Sequence, residues 1–150
     1  MNFDTIVIGA GPGGYVCAIK AAQLGQKTAV IDREFLGGVC LNVGCIPSKA
    51  LIHAGNYYES LGHHATDMGI DVKVGGIDLG KLKAWKDTVV KKLTGGVGML
   101  LKANKVEILM GTAVFEGPGR IKFTGKDGTK TLTYKNVVIA TGSRSLVIPG

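Results

Sequence analysis

Cys40 and Cys45 are the residues of this 150-residue chain best suited to covalent chemistry. Two thiols five positions apart, within Gly37-Gly38-Val39-Cys40-Leu41-Asn42-Val43-Gly44-Cys45-Ile46-Pro47-Ser48-Lys49, can cycle between dithiol and disulfide and so move two electrons. On a regular α-helix, residues at that spacing have Cα atoms about 8–9 Å apart. A disulfide needs about 7 Å or less. The pair can therefore bridge only where the helix is broken, and Gly44 with Pro47 just beyond suits such a break. Two other readings stay open on spacing alone. The cysteines could be unrelated buried thiols, or zinc ligands with His53 and a further histidine, although the usual ligand spacing is missing. Cys17 falls among small apolar residues of an earlier helix and reads as packing.

Gly9-Ala10-Gly11-Pro12-Gly13-Gly14 satisfies G-x-G-x-x-G, after a short apolar strand and before a helical pattern, with Asp32 closing the next strand. In such a turn Gly9 permits the sharp bend, Gly11 lets the backbone reach a pyrophosphate, and Gly14 lets helix and strand pack closely. Pro12 opens the helix, whose free N–H groups and positive end attract phosphate. Asp32 is placed to accept hydrogen bonds from a ribose. The turn does not decide between FAD and NAD, because both use it. A third motif, Val137-Val138-Ile139-Ala140-Thr141-Gly142-Ser143, is a buried-type strand running into a turn.

Together these residues resemble the pyridine-nucleotide disulfide oxidoreductases. Their signature G-G-x-C-[aliphatic]-x-x-G-C-[aliphatic]-P is matched at every fixed position by Gly37 to Pro47. Glutathione reductase and mercuric reductase share it. The wording Cys40-Leu41-Asn42-Val43-Gly44-Cys45-Ile46-Pro47-Ser48-Lys49-Ala50-Leu51 is most similar to the dihydrolipoamide dehydrogenase branch, and the likeness runs over essentially all of the chain, including the Trp85 helix with Leu93-Thr94-Gly95-Gly96-Val97. The resemblance implies that Cys40 is the interchange thiol that meets dihydrolipoyl sulfur and Cys45 the thiol facing a flavin. It implies that Lys49 lies near the flavin's reactive edge, and that FAD is held by Gly9, Gly11, Pro12, Gly14, Asp32, Gly111, Thr141, Gly142 and Ser143. The family commonly has Glu, one methylene longer, where this chain has Asp32. No metal is expected.

What the resemblance implies for activity is FAD-dependent oxidation of protein-bound dihydrolipoamide, with NAD+ as final acceptor. The implied partners are a lipoyl-bearing acyltransferase of a 2-oxo acid dehydrogenase complex or a glycine-cleavage lipoyl protein. After a Pro-Gly such as Pro149-Gly150 the family continues into NAD-binding and dimerisation domains that are absent here. The longer parent is expected to be a cytoplasmic homodimer, and the 150-residue segment by itself inactive. A related disulfide reductase, or a non-catalytic FAD-binding fragment, is the alternative.

The elements that must position these residues follow from periodicity. Strand, Gly-rich turn, helix and strand over residues 3–32 make a βαβ unit with parallel strands. A redox-disulfide helix is predicted over 37–61, regular from Cys45 onward, and a second helix over 79–103. Val106 to Met110 reads as a buried strand. Residues 113–135 read as a β-meander of three short strands, and 137–142 as the closing strand. The fold class is thus α/β, a Rossmann-like FAD-binding domain with an inserted helical pair and a small antiparallel meander.

Composition excludes more than it assigns. With 45% hydrophobic residues the chain can bury one core of ordinary size. The formal charge of +7 comes from scattered lysines without interleaved aromatic residues, so a solvated cationic surface is read rather than a nucleic-acid site. No apolar run is long enough to span a membrane, and the start of the chain lacks signal-peptide features. Three cysteines in such a chain point to a catalytic or redox-sensing disulfide, not a structural framework. His53, His63 and His64 read as surface or helix-packing residues.

Overall fold

The computed structural model describes residues 1–143 and 146–148; the Pro149-Gly150 pair lies outside them. Strand β1 (Asn2–Ile8), helix α1 (Pro12–Gln23) and strand β2 (Thr28–Asp32) form the first unit, with Thr5 beside Thr28 and Ile8 beside Ile31 in parallel register. Pro12 presets the first helical turn of α1. At its other end Gly25 takes a left-handed φ of 83° while its N–H donates to Ala22 O at 2.9 Å, which stops the helix.

Four helical segments follow: α2 (Gly38–Asn42), α3 (Cys45–Glu59), α4 (Ala65–Asp67) and α5 (Leu79–Ala103). Asp78 caps α5, its Oδ1 accepting from Lys81 N at 3.0 Å. The stretch predicted as one helix over 37–61 is interrupted at Val43 and Gly44. It also runs beyond Leu61, through a π turn at Ser60–His64 into α4. The antiparallel part differs from expectation too. The strand read at Val106 to Met110 and the first meander strand are one long β3 (Glu107–Gly117), and the last meander strand and the closing strand are one long β5 (Gly128–Ile139). Nothing between the predicted pieces forces a turn, so the chain stays extended and changes partners instead. The closing strand ends at Ile139, leaving residues 140–142 outside it.

That change of partners builds the sheet. The first halves of β3, then β2, β1 and the last half of β5 lie side by side in parallel, in the order β3–β2–β1–β5. The other halves of β3 and β5 flank β4 (Arg120–Gly125) in antiparallel register and close the ring. The crossing point is Gly111, where an added Cβ would lie 2.2 Å from Thr124 O and 2.8 Å from the Phe123 ring.

Alternation along the strands feeds two cores. Val7 and Val30 point toward α1 and α5, joining Ala18, Val97 and Leu101. Ile6, Ala29 and Ile31 point the other way, into the space closed by Ile121, Phe123 and Leu132 of the meander. Leu101, fully buried on α5, ties the helical pair to the sheet. Leu101→Ala is expected to cost about 2–5 kcal/mol, read as a lowered urea midpoint with unchanged slope. The architecture is α/β, with a parallel-rich sheet, helices on one face and the meander on the other. Among the described residues no helix is long and apolar enough to cross a membrane.

Candidate functional site

Three chain turns meet at the carboxyl ends of the parallel strands, where ligands of open α/β sheets bind. Gly9 follows β1, Asp32 ends β2 and Thr141 follows β5. Gly9 N donates to Ile31 O at 2.7 Å and Ala140 N donates to Ile8 O at 2.8 Å, locking the three together. Gly9 has φ +104°, and a Cβ there would sit 2.1 Å from Ala140 O. Gly14 is required by contact alone, since its Cβ would lie 1.8 Å from Gly9 O. Gly13, by contrast, faces open space. The first turn of α1 carries no side-chain cap and no acidic residue. Pro12 has no N–H and Gly14 and Tyr15 donate to Gly11 O, so the Gly13 N–H and the positive end of the helix are what face an anion.

Asp32 is more occupied than a ribose acceptor alone would need to be. Its Oδ2 accepts from Ala10 N at 2.7 Å and its Oδ1 from Glu34 N at 2.9 Å, so the carboxylate braces the glycine turn against the following loop. Carboxylate oxygens have further lone pairs, and a ribose hydroxyl can share them.

The cysteines lie on the opposite wall. Cys40 sits within α2, and Cys45 opens α3 after the break at Val43 and Gly44. A Cβ on Gly44 would come within 3.0 Å of Val39 O and 3.4 Å of Cys40 Cα, so glycine lets the returning chain pass directly over Cys40. The thiols are free, Cys40 half-buried and Cys45 exposed. A hydrogen bond between them, reinforced by burial, pushes the Cys40 thiol above its ordinary value, while the Lys49 cation pulls the other way. Lys49 stands exposed one helical turn beyond Cys45.

Both cysteines line an open cleft of about 560 Å³ together with Gly9, Gly11, Pro12, Asp32, Thr141, Gly142 and Ser143. A second hollow of about 380 Å³ shares Gly9, Asp32 and Thr141 to Ser143 and extends to Gly111, making one groove along the strand ends. Gly14 lies behind that wall and Lys49 outside it, so the groove gathers most but not all of the expected residues. Gly111 lines the second hollow, yet its missing side chain faces the Phe123 ring, so the sheet crossing already accounts for glycine there. Sequence reasoning passed over Arg33 and Gly38, which also line the groove. Gly38 has φ +59° and a Cβ would meet Gly11 Cα at 2.6 Å. The Gly37-Gly38 pair was a signal for such an approach; Arg33 carried none.

Cys17 packs against the helix-side core, and His53, His63 and His64 are exposed. Among the described residues no three His, Cys, Asp or Glu side chains gather as a metal site.

A nucleotide-type glycine turn and a cysteine pair facing each other across one groove define a thiol–disulfide redox protein of the dinucleotide-binding kind. The chain belongs to the pyridine nucleotide-disulphide oxidoreductase family, whose profile matches residues 3–150. It is 55% identical over 146 residues to the dihydrolipoyl dehydrogenase of Bacillus subtilis, covering 97% of this chain and 31% of that protein. The dihydrolipoyl dehydrogenase of Manduca sexta is 45% identical over 148 residues, 98% of this chain and 30% of its own length. The chain thus spans about a third of the curated relatives it matches. The fold is shared with the HOCl-induced flavoprotein disulfide reductase RclA from Escherichia coli, at TM-score 0.82 and 23% identity over 99% of this chain and 30% of that one.

Proposed function

We propose that this chain is the redox-disulfide part of an FAD-dependent enzyme that oxidises protein-bound dihydrolipoamide, with NAD+ as final acceptor. The observation that carries it is the shared groove, in which Cys40 and Cys45 face the glycine turn and the Thr141–Ser143 turn. The similarity to dihydrolipoyl dehydrogenases supports the choice of dithiol.

The residues fit an FAD. The groove lies within the roughly 300–1,000 Å³ of ordinary cofactor sites, no side chain caps the start of α1, and Gly13 leaves its side open. Gly11, Pro12 and the first turn of α1 would hold the pyrophosphate, Asp32 a ribose, and Thr141 to Ser143 the middle of the molecule. When bound, FAD supplies a two-electron acceptor for the cysteine pair.

The thiol chemistry belongs to the chain itself. With the pair oxidised, a dihydrolipoyl thiolate attacks Cys40 Sγ, the Cys40–Cys45 bond breaks, and Cys45 leaves as a thiolate. The second dihydrolipoyl thiolate then attacks the substrate sulfur of the mixed disulfide. The cyclic lipoyl disulfide forms and Cys40 is released, so two electrons have passed to the pair. The Lys49 cation favours thiolate at Cys40 during this exchange. The partners proposed are a lipoyl-bearing acyltransferase of a 2-oxo acid dehydrogenase complex or a glycine-cleavage lipoyl protein, and the whole enzyme is proposed to be a cytoplasmic homodimer.

The test is to load the protein with FAD and add dithiol without NAD+. A yellow protein whose visible flavin band bleaches with dihydrolipoamide but not with glutathione is the expected result. Bleaching by glutathione instead would assign the chain to another disulfide reductase. A protein that never takes up flavin would overturn the reading.

A further inference from the structure

We propose that Asn42 is a positioning residue for the Cys40–Cys45 pair, holding Cys40 where Cys45 can reach it. The inference rests on the reading of these cysteines as a redox pair. Cys40 lies in the middle of α2, a helix of only five residues. A helical segment so short does not persist unaided. At its start it is held from outside, because Gly37 N donates to Ala10 O at 2.8 Å. At its far end Val43 N still donates to Val39 O at 3.0 Å, but the chain then breaks at Gly44 to bring Cys45 back and the helical ladder goes no further.

The Asn42 side chain instead reaches back from the end of α2 to the carbonyls at its start. Its Nδ2 donates to Leu36 O at 2.9 Å and to Gly38 O at 2.9 Å. Both partners are carbonyl oxygens, so only the amide nitrogen can face them. Leu36 lies outside α2 and packs on the helix-side core, so the clamp anchors the far end of the turn to rigid structure. The Asn42 amide is bonded to these carbonyls and to neither sulfur, and its role is to keep α2 wound while Cys40 meets Cys45.

A positioned pair has a high effective concentration of one thiol at the other, and hence a stable disulfide. The protein is equilibrated against glutathione and glutathione disulfide, so that Cys40 and Cys45 lose two protons and two electrons as one glutathione disulfide becomes two thiols. The oxidised fraction is read by mass after acid quench and alkylation. Asn42→Asp keeps the shape but replaces the donor with an acceptor. It is expected to lower the equilibrium constant for the disulfide about tenfold, about 30 mV for a two-electron couple. Asn42→Gln retains the amide and is expected to recover part of the loss. By linkage, Asn42→Asp should lower the melting temperature of the oxidised protein more than that of the reduced one.

A merely structural role predicts equal falls in melting temperature and an unchanged equilibrium constant, and that result would overturn the proposal. If Asn42→Asp does not fold, Asn42→Ala carries the same comparison. Failure of the unsubstituted protein to form the disulfide at any glutathione ratio would instead overturn the redox pair, and Asn42's role with it.

Discussion

Gly14→Ala is expected to unfold the protein or bring it close to unfolding, whereas Gly13→Ala, one residue away, is expected to raise stability slightly. The added Cβ at Gly14 would sit 1.8 Å from Gly9 O and 2.8 Å from Gly9 C. Both atoms are backbone. The Gly9 N–H is tied to Ile31 O, so this part of the turn cannot yield without disturbing the parallel sheet. The helix must lift away instead, uncovering Val7 and Ala18 in the helix-side core. A forced shift of that kind belongs to the tail above about 4 kcal/mol among single substitutions, out of a total of about 5–15 kcal/mol. At Gly13 nothing lies within 4 Å, and the position is helical. Alanine there is worth about 0.5–1 kcal/mol in helix propensity. Urea midpoints of the two variants check the contrast, and equal midpoints would contradict the packing described.

Cys45→Ala is expected to abolish reduction of bound flavin by a dithiol, by at least about a thousandfold, as loss of a reacting group does elsewhere. Stopped-flow bleaching of the visible flavin band measures it. The same substitution has an effect that needs no cofactor. The hydrogen bond to Cys45 is the largest cause of the raised Cys40 value, followed by burial. Removing Cys45 lowers the pKa of Cys40, so more thiolate is present at a given pH. The alkylation profile of reduced Cys40 should therefore move to lower pH in Cys45→Ala, followed by mass at the Cys40 peptide. The linkage sign is also fixed. A thiol raised on folding contributes stability below its unfolded pKa, and loses that contribution as pH rises through the folded value.

How much of this could be read from residues alone differed with the distance over which each feature is decided. The βαβ unit and the break between the cysteines are local matters. Gly9 to Gly14, Gly25 and Gly44 carry their own backbone demands, and a five-residue spacing excludes a bridge on a regular helix. The long strands β3 and β5 were not legible as single elements, because their change of partner at Gly111 is decided by Thr124 and Phe123, far along the chain. Asp32 was legible as an acidic strand end but not as a brace for Ala10 and Glu34. Asn42 left no trace, since any polar residue between two cysteines looks the same until its carbonyl partners are placed.

The closed ring of strands also dictates a timetable. β1 is made long before β5, its parallel neighbour, which brings Thr133 to Asn2 across 131 residues of chain. A ribosome adding about 5–20 residues per second needs roughly 7–26 seconds to cover that distance. Through that interval the edge of β1 that β5 covers has no partner from β5 and is able to pair with another chain. Pairing with a second chain therefore competes with folding during that interval, and the competition ends when β5 closes the ring.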